Sequence, residues 1–439
     1  MQPIFQTRCM SPLLPPRPRA GAPLLVGYSG GLDSTVLLHA LAVDADARAT
    51  ALRAIHVHHS LHADADAWAA HCERNCAAFD VPLLVVHVDV ERSSGLGLEG
   101  AARAARHRAF ADALRNDEIL ALAHHRDDQA ETVLLRALRG SGVDGLAAMR
   151  PWRAYAHGWL WRPLLDTSRD ALRAYAGERT LQWIEDPANA DDSFDRNFLR
   201  RCVLPLLRER WPQADTALAR SACLSAQASD LLDHEDATAL LGVRREKHLL
   251  DAVALLAFSH ARRARVLRRW VRELGLPPLP GTGVACIENG LLAAGADRLA
   301  QFDWAGARIQ RWRDLLHADE VRAPLPADWS QAWNGHAPLQ LPTGDSLELA
   351  GAAGFDAPLR AHARLGGERI TLPGRSHRHA LKHALQDQHV PPWQRSRMPL
   401  LSAADGELLA AGDAIVSARL QAWLRERGAR LRWRPGSMA

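Results

Sequence analysis

The sequence predicts an α/β fold: a doubly wound parallel sheet, followed by a helical domain and a small α+β C-terminal domain. Three observations predict it. Short apolar runs alternate with helical stretches through the first half of the chain. The hexapeptide Ser29-Gly30-Gly31-Leu32-Asp33-Ser34 joins the apolar run Leu24–Tyr28 to the helical run that opens at Ser34, a strand, tight turn and helix in succession. From about Ala214 to Leu316 the chain is rich in Ala, Leu and Arg and reads as mostly helical, whereas residues 343–439 mix short strands with a helix around His379–Gln388.

Taken in order, the strands are Leu24–Tyr28, Leu52–His58, Leu83–Val88 and Ile119–Ala123, and the helices between them Ser34–Val43, Asp64–Phe79 and Leu98–Asn116. Ligands of such sheets sit beyond the carboxyl ends of the strands. The hexapeptide lies at such an end, as do His58-His59 and His124-His125, so three stretches converge on one crevice. Asp166 to Trp211 reads as helical with a break near Asp186-Pro187, Gly275–Gly283 breaks the middle segment, and proline-rich Asp319–Pro342 reads as a linker. The expected organisation is a catalytic domain over residues 1–213, a helical domain and linker over 214–342, and a terminal domain over 343–439.

A chain of 439 residues, 47% hydrophobic and 24% charged, is long enough and mixed enough to bury sizeable cores. No apolar run approaches the ~20 residues of a membrane span, and Met1–Ala20 lacks the apolar core of a secretion signal. A soluble, cytoplasmic protein is expected. The net charge of +4 is compatible with a polyanionic partner. The basic residues are almost all arginine, which suits phosphate and base contacts but equally follows from arginine-biased coding. Cys9, Cys72, Cys76, Cys202, Cys223 and Cys286 form no Cys-x-x-Cys; Cys72 and Cys76 share a helical face and read as buried thiols.

Gly30 and Gly31 permit unusual backbone angles and close approach to a ligand. Main-chain N–H groups at the turn, with Ser29, Ser34 and Thr35, can surround an anion, and Asp33 adds a carboxylate suited to a metal ion. A Walker P-loop needs Gly-Lys-Ser/Thr; the two lysines of the chain, Lys247 and Lys382, do not follow glycine. SGGLDS instead resembles the PP-loop of ATP pyrophosphatases, and the resemblance implies ATP cleavage between the α- and β-phosphates. The second motif, His124-His125-Arg126-Asp127-Asp128-Gln129-Ala130-Glu131-Thr132, ends a strand and opens a helix, with Asp128 three residues from both His125 and Glu131. Capping accounts for part of it, and its spacing matches no standard zinc site.

These motifs, with HVHHSLHADADAW, GLEGAARAARHRAF, Arg162-Pro163-Leu164-Leu165, EDPANADDSFDRNFLRRCVLPLL and RLGGERITLPGRSHRHALKHALQDQHVPPWQRSRMPLL, resemble the tRNA(Ile)-lysidine synthetase family, closely over 24–211 and well over about 363–413. The resemblance implies a carbon–nitrogen ligase. ATP would adenylate O2 of the wobble cytidine in a CAU-anticodon isoleucine tRNA, releasing pyrophosphate, and the ε-amine of L-lysine would displace AMP to give lysidine. It implies ATP contacts at Ser29, Gly30, Gly31, Leu32, Asp33, Ser34 and Thr35, and Mg²⁺ at Asp33 with help from Asp128. Arg106 would stabilise the adenylation transition state and Arg103 contact phosphate. His124, Asp127, Asp128 and Glu131 would bind lysine or accept its proton, with individual roles open. The family usually carries Tyr where this chain has His107, which preserves an aromatic packing role but not a phenol-specific one. Expected tRNA contacts are Arg136, Arg139 and the adjoining Gly140-Ser141-Gly142; Arg196, Asn197, Arg200 and Arg201; and Arg375, His377, Arg378, Lys382, Trp393, Arg395 and Arg397.

Three other readings stay open: a PP-loop tRNA thiolase, which the missing Cys-x-x-Cys disfavours; a small-molecule amide ligase, which would not need the long basic C-terminal half; and a non-catalytic tRNA-binding protein, which the two intact motifs disfavour. A homodimer is neither required nor excluded.

Overall fold

The structure, a computed structural model, describes residues 13–91, 97–185, 187, 194–293, 300–434 and 436. Cys9, the helix break at Asp186 and the centre of the EDPANADDSFDRNF motif lie outside the described residues. The chain divides into two compact units, one ending at Asp233 and the other beginning at His234.

The first unit runs β1 (Leu24–Gly27), α1 (Leu32–Val43), α2 (Ala45–Arg48), β2 (Leu52–His58), α3 (Ala65–Ala78), β3 (Leu83–His87), α4 (Gly97–Ala113), β4 (Ile119–Ala121), α5 (Arg126–Leu138), α6 (Val143–Leu146), β5 (Trp152–Tyr155), β6 (Gly158–Trp161), α7 (Arg169–Glu178), α8 (Asp195–Phe198), α9 (Leu204–Arg210) and the start of α10 (Ala214–Val243). The sheet has the order β3-β2-β1-β4-β6-β5. All neighbours are parallel except the β5–β6 hairpin. Successive strands move outward from β1 to β3, then the chain returns to the other side of β1 with β4. That reversal opens a crevice at the carboxyl ends of β1 and β4.

The strands are apolar on both faces because both are covered. Leu24, Val26 and Tyr28 point to one side and pack with residues of α1, α3 and α7. Leu25, Ile55, Val57, Leu120 and Leu160 point to the other and meet Ala109 and Phe110 of α4. At the amino-terminal edge, Glu118 is fully buried and takes a two-pronged ion pair from Arg53, Nε to Oε1 at 2.7 Å and Nη2 to Oε2 at 2.6 Å. Gly158 lies so close to this edge that a Cβ would sit 2.1 Å from the Glu118 carbonyl oxygen.

The four predicted strands and the helices between them are present. The β5–β6 hairpin was not among them. Its turn is Ala156-His157, with Ala156 at φ +46°, and lacks the Asn-Gly or Asp-Gly pair that marks such a turn in a sequence.

In the second unit, helices at Ala252–Leu256, His260–Glu273 and Gly281–Cys286 surround the buried Trp270. The helical reading overlooked a five-stranded antiparallel sheet formed by Arg244–Glu246, Leu249–Asp251, Ala300–Trp304, Ala307–Trp312 and Leu315–Glu320. Its strands are short, and they turn at Ala305-Gly306 and Arg313, all at positive φ. A separate core starts at Leu325. The segment read as a linker contains the strands Ser330–Trp333 and Leu339–Gln340, and the expected boundary at 342/343 falls inside the hairpin of Leu339–Gln340 with Ser346–Ala350. The helix expected near His379–Gln388 is present as Leu381–Asp387.

Candidate active site

The glycine turn begins where β1 leaves the core. Gly30 has φ +83°, and a Cβ there would meet Cys72 Sγ and Ile184 Cδ1 at 3.0 Å, so only glycine fits without strain. Gly31 caps α1 in an extended conformation, and among the described residues no side chain caps the first N–H groups of the helix. Those donors and the helix dipole face the crevice as an anion site. Two hydroxyls shape the turn. Ser34 Oγ donates to the Gly31 carbonyl at 3.0 Å and lies 3.0 Å from Ser29 Oγ. Leu32 and Thr35 are buried beneath it, with the Thr35 hydroxyl directed at the Gly30 carbonyl (3.4 Å) and Tyr28 Oη (3.4 Å). Leu32 and Thr35 thus support the turn, and a ligand would meet their main chain only.

Two braces were not legible in the sequence. Ile184 N donates to the Gly30 carbonyl at 2.9 Å, so the chain following α7 pairs with the turn. Asn75 Nδ2 of α3 donates to Tyr28 Oη at 2.8 Å and to the Gln182 carbonyl at 3.0 Å. Both arise from distant segments and carry no local signature.

Across the switch point, β4 delivers His124 and His125 to the start of α5. The buried His125 stands among three carboxylates: Nε2 lies 3.5 Å from Asp33 Oδ2 and 3.4 Å from Asp128 Oδ2, and Nδ1 lies 3.6 Å from Asp127 Oδ2. Burial alone would lower its pKa, but the carboxylates outweigh burial and raise it to about 10. The carboxylates thus favour the imidazolium form of His125, which stands between the glycine turn and α5.

The carboxylates differ in what they have left to offer. Asp127 accepts from Arg169 N at 3.0 Å and from Arg208 Nη2 at 2.9 Å; burial is opposed by His125 and these donors, and its pKa ends far below the usual range. Asp128 accepts from His125 N at 3.0 Å on one oxygen and from Arg200 Nη2 at 3.2 Å on the other. Glu131, fully buried, receives Arg200 Nε at 2.6 Å and Nη2 at 3.1 Å; burial raises its pKa against the pull of Arg200. Asp33 Oδ1 is buried and has no hydrogen-bond partner among the described residues. Mg²⁺ is commonly held by one or two carboxylates together with substrate phosphates. Asp33 fits that requirement; Asp128, engaged on both oxygens, fits it less well. No group of three or more His, Cys, Asp or Glu among the described residues is arranged to hold a metal by itself.

Arg103 and Arg106 of α4 are half-buried. The charge of Arg103 acts on His124 and that of Arg106 on His59, which puts both on the crevice side of the helix. His107 packs edge-on against Phe110 and Tyr155, and its Nδ1 lies 3.1 Å from Tyr155 Oη, so the aromatic packing role is kept. Burial, with Arg103, Arg106, Arg153 and Arg162, lowers its pKa to about 4. His56 contacts the Tyr28 carbonyl at 3.0 Å and His58 contacts Asp66 at 3.0 Å, both local packing and polar contacts. Cys72 and Cys76 are buried, and burial pushes both thiols up to about 12, which leaves them unreactive.

The basic residues expected on RNA fall into two groups. Arg136 Nη1 is spent on the carbonyls of Gly145 (2.8 Å) and Ala148 (3.1 Å), Arg395 Nε on that of Val390 (2.8 Å), and Arg397 on the buried Asp345. Arg200 belongs to the carboxylate cluster, Arg196 Nη2 reaches Thr132 Oγ1 at 3.1 Å, Asn197 is buried, and Trp393 stacks on His317 with ring centres 4.2 Å apart. Arg139, Arg375, Arg378 and Lys382 are exposed.

Known proteins resemble this chain along nearly its whole length. A family described as PP-loop domain matches residues 1–207, one described as TilS substrate binding domain matches 250–317, and one described as TilS substrate C-terminal domain matches 359–433. A tRNA(Ile)-lysidine synthase of Xanthomonas axonopodis pv. citri is 56% identical over 431 residues, covering 98% of this chain and 97% of the relative. The chain belongs to the tRNA(Ile)-lysidine synthase family. Relatives of the same name from Xylella fastidiosa and Serratia proteamaculans are 53% and 41% identical over 422 residues each, covering 95% and 94% of this chain and 96% and 95% of the relatives. As a member of the family the chain is an enzyme with a PP-loop ATP site, and the doubly wound sheet expected from its sequence is that domain.

Proposed function

We propose that this chain joins the ε-amine of free L-lysine to C2 of the wobble cytidine in a CAU-anticodon isoleucine tRNA, converting ATP to AMP and pyrophosphate. The observation that carries the reading is the pairing of an uncapped α1 N-terminus, bearing Asp33 with its unengaged Oδ1, with the carboxylate-rich start of α5 across one switch point. The first is suited to a polyphosphate and the second to a cationic amine. ATP would lie with its β- and γ-phosphates on the Ser29–Ser34 turn. Asp33 would hold Mg²⁺, which neutralises phosphate charge when bound. Arg106 and Arg103 face the α-phosphate, where charge develops as cytidine O2 attacks. The lysine ammonium approaches Asp128, which is 14% exposed and shares Arg200 with the fully buried Glu131. Asp127, saturated by Arg169, Arg208 and His125, fastens α5 in place.

Residues 1–213 would perform the chemistry, and 214–342 and 343–439 would hold the tRNA, with exposed Arg375, Arg378 and Lys382 as contacts in the last region. No described helix is long and apolar enough to cross a membrane, and a tRNA substrate implies work in the cytoplasm.

The test is incubation with ATP, Mg²⁺, radiolabelled lysine and CAU-anticodon tRNA transcript, reading label in RNA and AMP release. Label enters the RNA in step with AMP. ADP and orthophosphate as products, or AMP release indifferent to lysine, would reject the reading. Asp33→Asn should reduce AMP formation by roughly a hundredfold or more while filter binding of tRNA stays nearly unchanged, since Asp33 lies at the phosphate turn.

A further inference from the structure

We infer that Arg162 locks His124 into the tautomer that carries its proton on Nε2, so that His124 serves as a hydrogen-bond donor to a phosphate oxygen and not as the base that deprotonates lysine. This rests on the reaction proposed above and assigns a role within it. Arg162 is a positioning residue; its partner His124 is the group that would touch substrate.

The geometry starts from the buried guanidinium of Arg162, 6% exposed. Its Nη1 donates to the Arg150 carbonyl at 2.7 Å, which fixes the plane of the group. Its Nε then donates to His124 Nδ1 at 3.3 Å. A guanidinium has donors and no acceptor. Nδ1 must therefore present its lone pair, and in a neutral imidazole the proton is left on Nε2. The ring is neutral: burial, joined by the charges of Arg162, Arg103 and Arg196, outweighs Asp128 and lowers its pKa. Nε2 is bonded by none of the described residues, and it is not sealed from solvent as buried, unpartnered atoms such as Asp33 Oδ1 are. His124 thus offers the crevice one N–H. It has no lone pair to offer, because Nδ1 is occupied by Arg162 and Nε2 already carries hydrogen.

The two half-reactions use such a group differently. In the first, a bond forms between cytidine O2 and the α-phosphorus while the bond from that phosphorus to the bridging oxygen breaks, its electron pair leaving with pyrophosphate. The pyrimidine becomes cationic and no proton moves. This step needs donors at the phosphate oxygens and no base. In the second, the lysine nitrogen bonds to C2, the C2–O2 bond breaks with its electron pair leaving on AMP, and the amine sheds protons. That proton needs an acceptor. Asp128, 14% exposed and with a lone pair left on each engaged oxygen, can take it, whereas His124 has no site left for it. The tautomer assigns His124 to the first step and Asp128 to the second.

The test uses the full chain. His124→Gln keeps an N–H near the Nε2 position and has no basic nitrogen; His124→Ala keeps neither. With tRNA transcript and ATP but no lysine, pyrophosphate release should fall roughly 100- to 1,000-fold in His124→Ala and by less than about tenfold in His124→Gln. If glutamine is as damaging as alanine, the donor role is wrong. Nitrogen-15 spectra of histidine-labelled protein, with the His124 signal identified by its loss in His124→Gln, read the tautomer without substrate. The wild-type ring should show a pyridine-like Nδ1 and a pyrrole-like Nε2, and Arg162→Met should average the two. A pyrrole-like Nδ1 in the wild type overturns the assignment, and that spectrum decides even if Arg162→Met does not fold. Failure of the wild type to load lysine onto tRNA would sink the proposed reaction while leaving the tautomer measurement standing, so the two failures are distinct.

Discussion

Two buried arginine–glutamate pairs lie at opposite ends of the same sheet. At the amino edge, Arg53 meets Glu118, and the remaining contacts of the pair are closed by the Ala113 carbonyl and Arg115 N. At the carboxyl edge, Arg200 meets Glu131 through one short contact of 2.6 Å and a longer one of 3.1 Å, its second arm is shared with Asp128, and beyond Asp128 lie His125 and the unengaged Asp33 Oδ1. The first pair is a closed unit, completed by neighbouring main-chain groups. The second is the inner end of a chain of charges that reaches a crevice and is left incomplete. Burial and ion pairing are alike in the two places; what marks the functional end is the unfinished hydrogen bonding.

Removing each arginine would break the comparison most severely. Arg53→Met leaves the buried Glu118 carboxylate with the Arg115 N–H as its remaining donor, which should cost about 3–5 kcal/mol of stability. It should leave the rate of lysine incorporation per folded molecule unchanged at a temperature well below melting. Arg200→Met leaves Glu131 in the same position, but burial already favours the neutral acid there, so the loss in denaturant midpoint should be the smaller of the two. Lysine incorporation should fall far more than with Arg53→Met, because Asp128 and Glu131 lose the charge that organises them. Equal effects of both variants on rate would mean that the carboxyl-end pair is only structural.

The part of this design that is local in the chain was legible in the sequence. Gly30, Asp33 and the His124–Thr132 motif could be placed on a strand end and a helix start because each sits beside its own periodic segment. The contacts that complete the site could not. Ile184 and Asn75 meet the motifs only after the sheet has closed, and Arg162, though it opens the Arg162-Pro163-Leu164-Leu165 motif, shows no sign in the sequence that its partner is His124. The same limit explains the basic residues: Arg136 and Arg139 look alike in the sequence, yet one ends on carbonyl groups and the other at the surface. The overlooked sheet at Arg244–Glu320 is a different case: Ala300–Trp304 does alternate apolar and polar residues, and the helical composition of the surrounding segment masked it.

A pH titration sharpens the contrast at the rim of the crevice. His107, whose pKa is lowered to about 4 by burial and four neighbouring arginines, binds its proton less readily folded than unfolded. For a folded-state pKa below the unfolded value of about 6.5, the unfolded chain holds more protons in the window between them. Stability is then fully present above about 6.5 and falls as pH drops toward 4. His107→Phe removes that contribution and should flatten the acid limb of a melting-temperature profile. Tyr155, which also donates to the His107 carbonyl, keeps that bond in the variant. An acid limb as steep as that of the wild type would show that other histidines, His59 among them, carry it.

The smallest effects should separate Arg136 from Arg139, three positions apart on and just after α5. Arg136→Ala strips charged donors from the carbonyls of Gly145 and Ala148, which should cost about 1.5–3 kcal/mol in denaturant unfolding. Its effect on tRNA affinity should be secondary to that loss, and flat in salt. Arg139 is 70% exposed in its side chain and, among the described residues, pairs with the 74% exposed Asp195, a contact of little energetic weight. Arg139→Ala should leave the unfolding midpoint unchanged. If this face meets the tRNA backbone, it should weaken binding evenly across tRNA sequences and reduce the slope of log affinity against log salt by about one. An unaltered slope would remove Arg139 from the RNA footprint and leave the C-terminal residues Arg375, Arg378 and Lys382 to account for the salt dependence. A fall in slope for Arg136→Ala would show instead that its carbonyl contacts give way when RNA arrives.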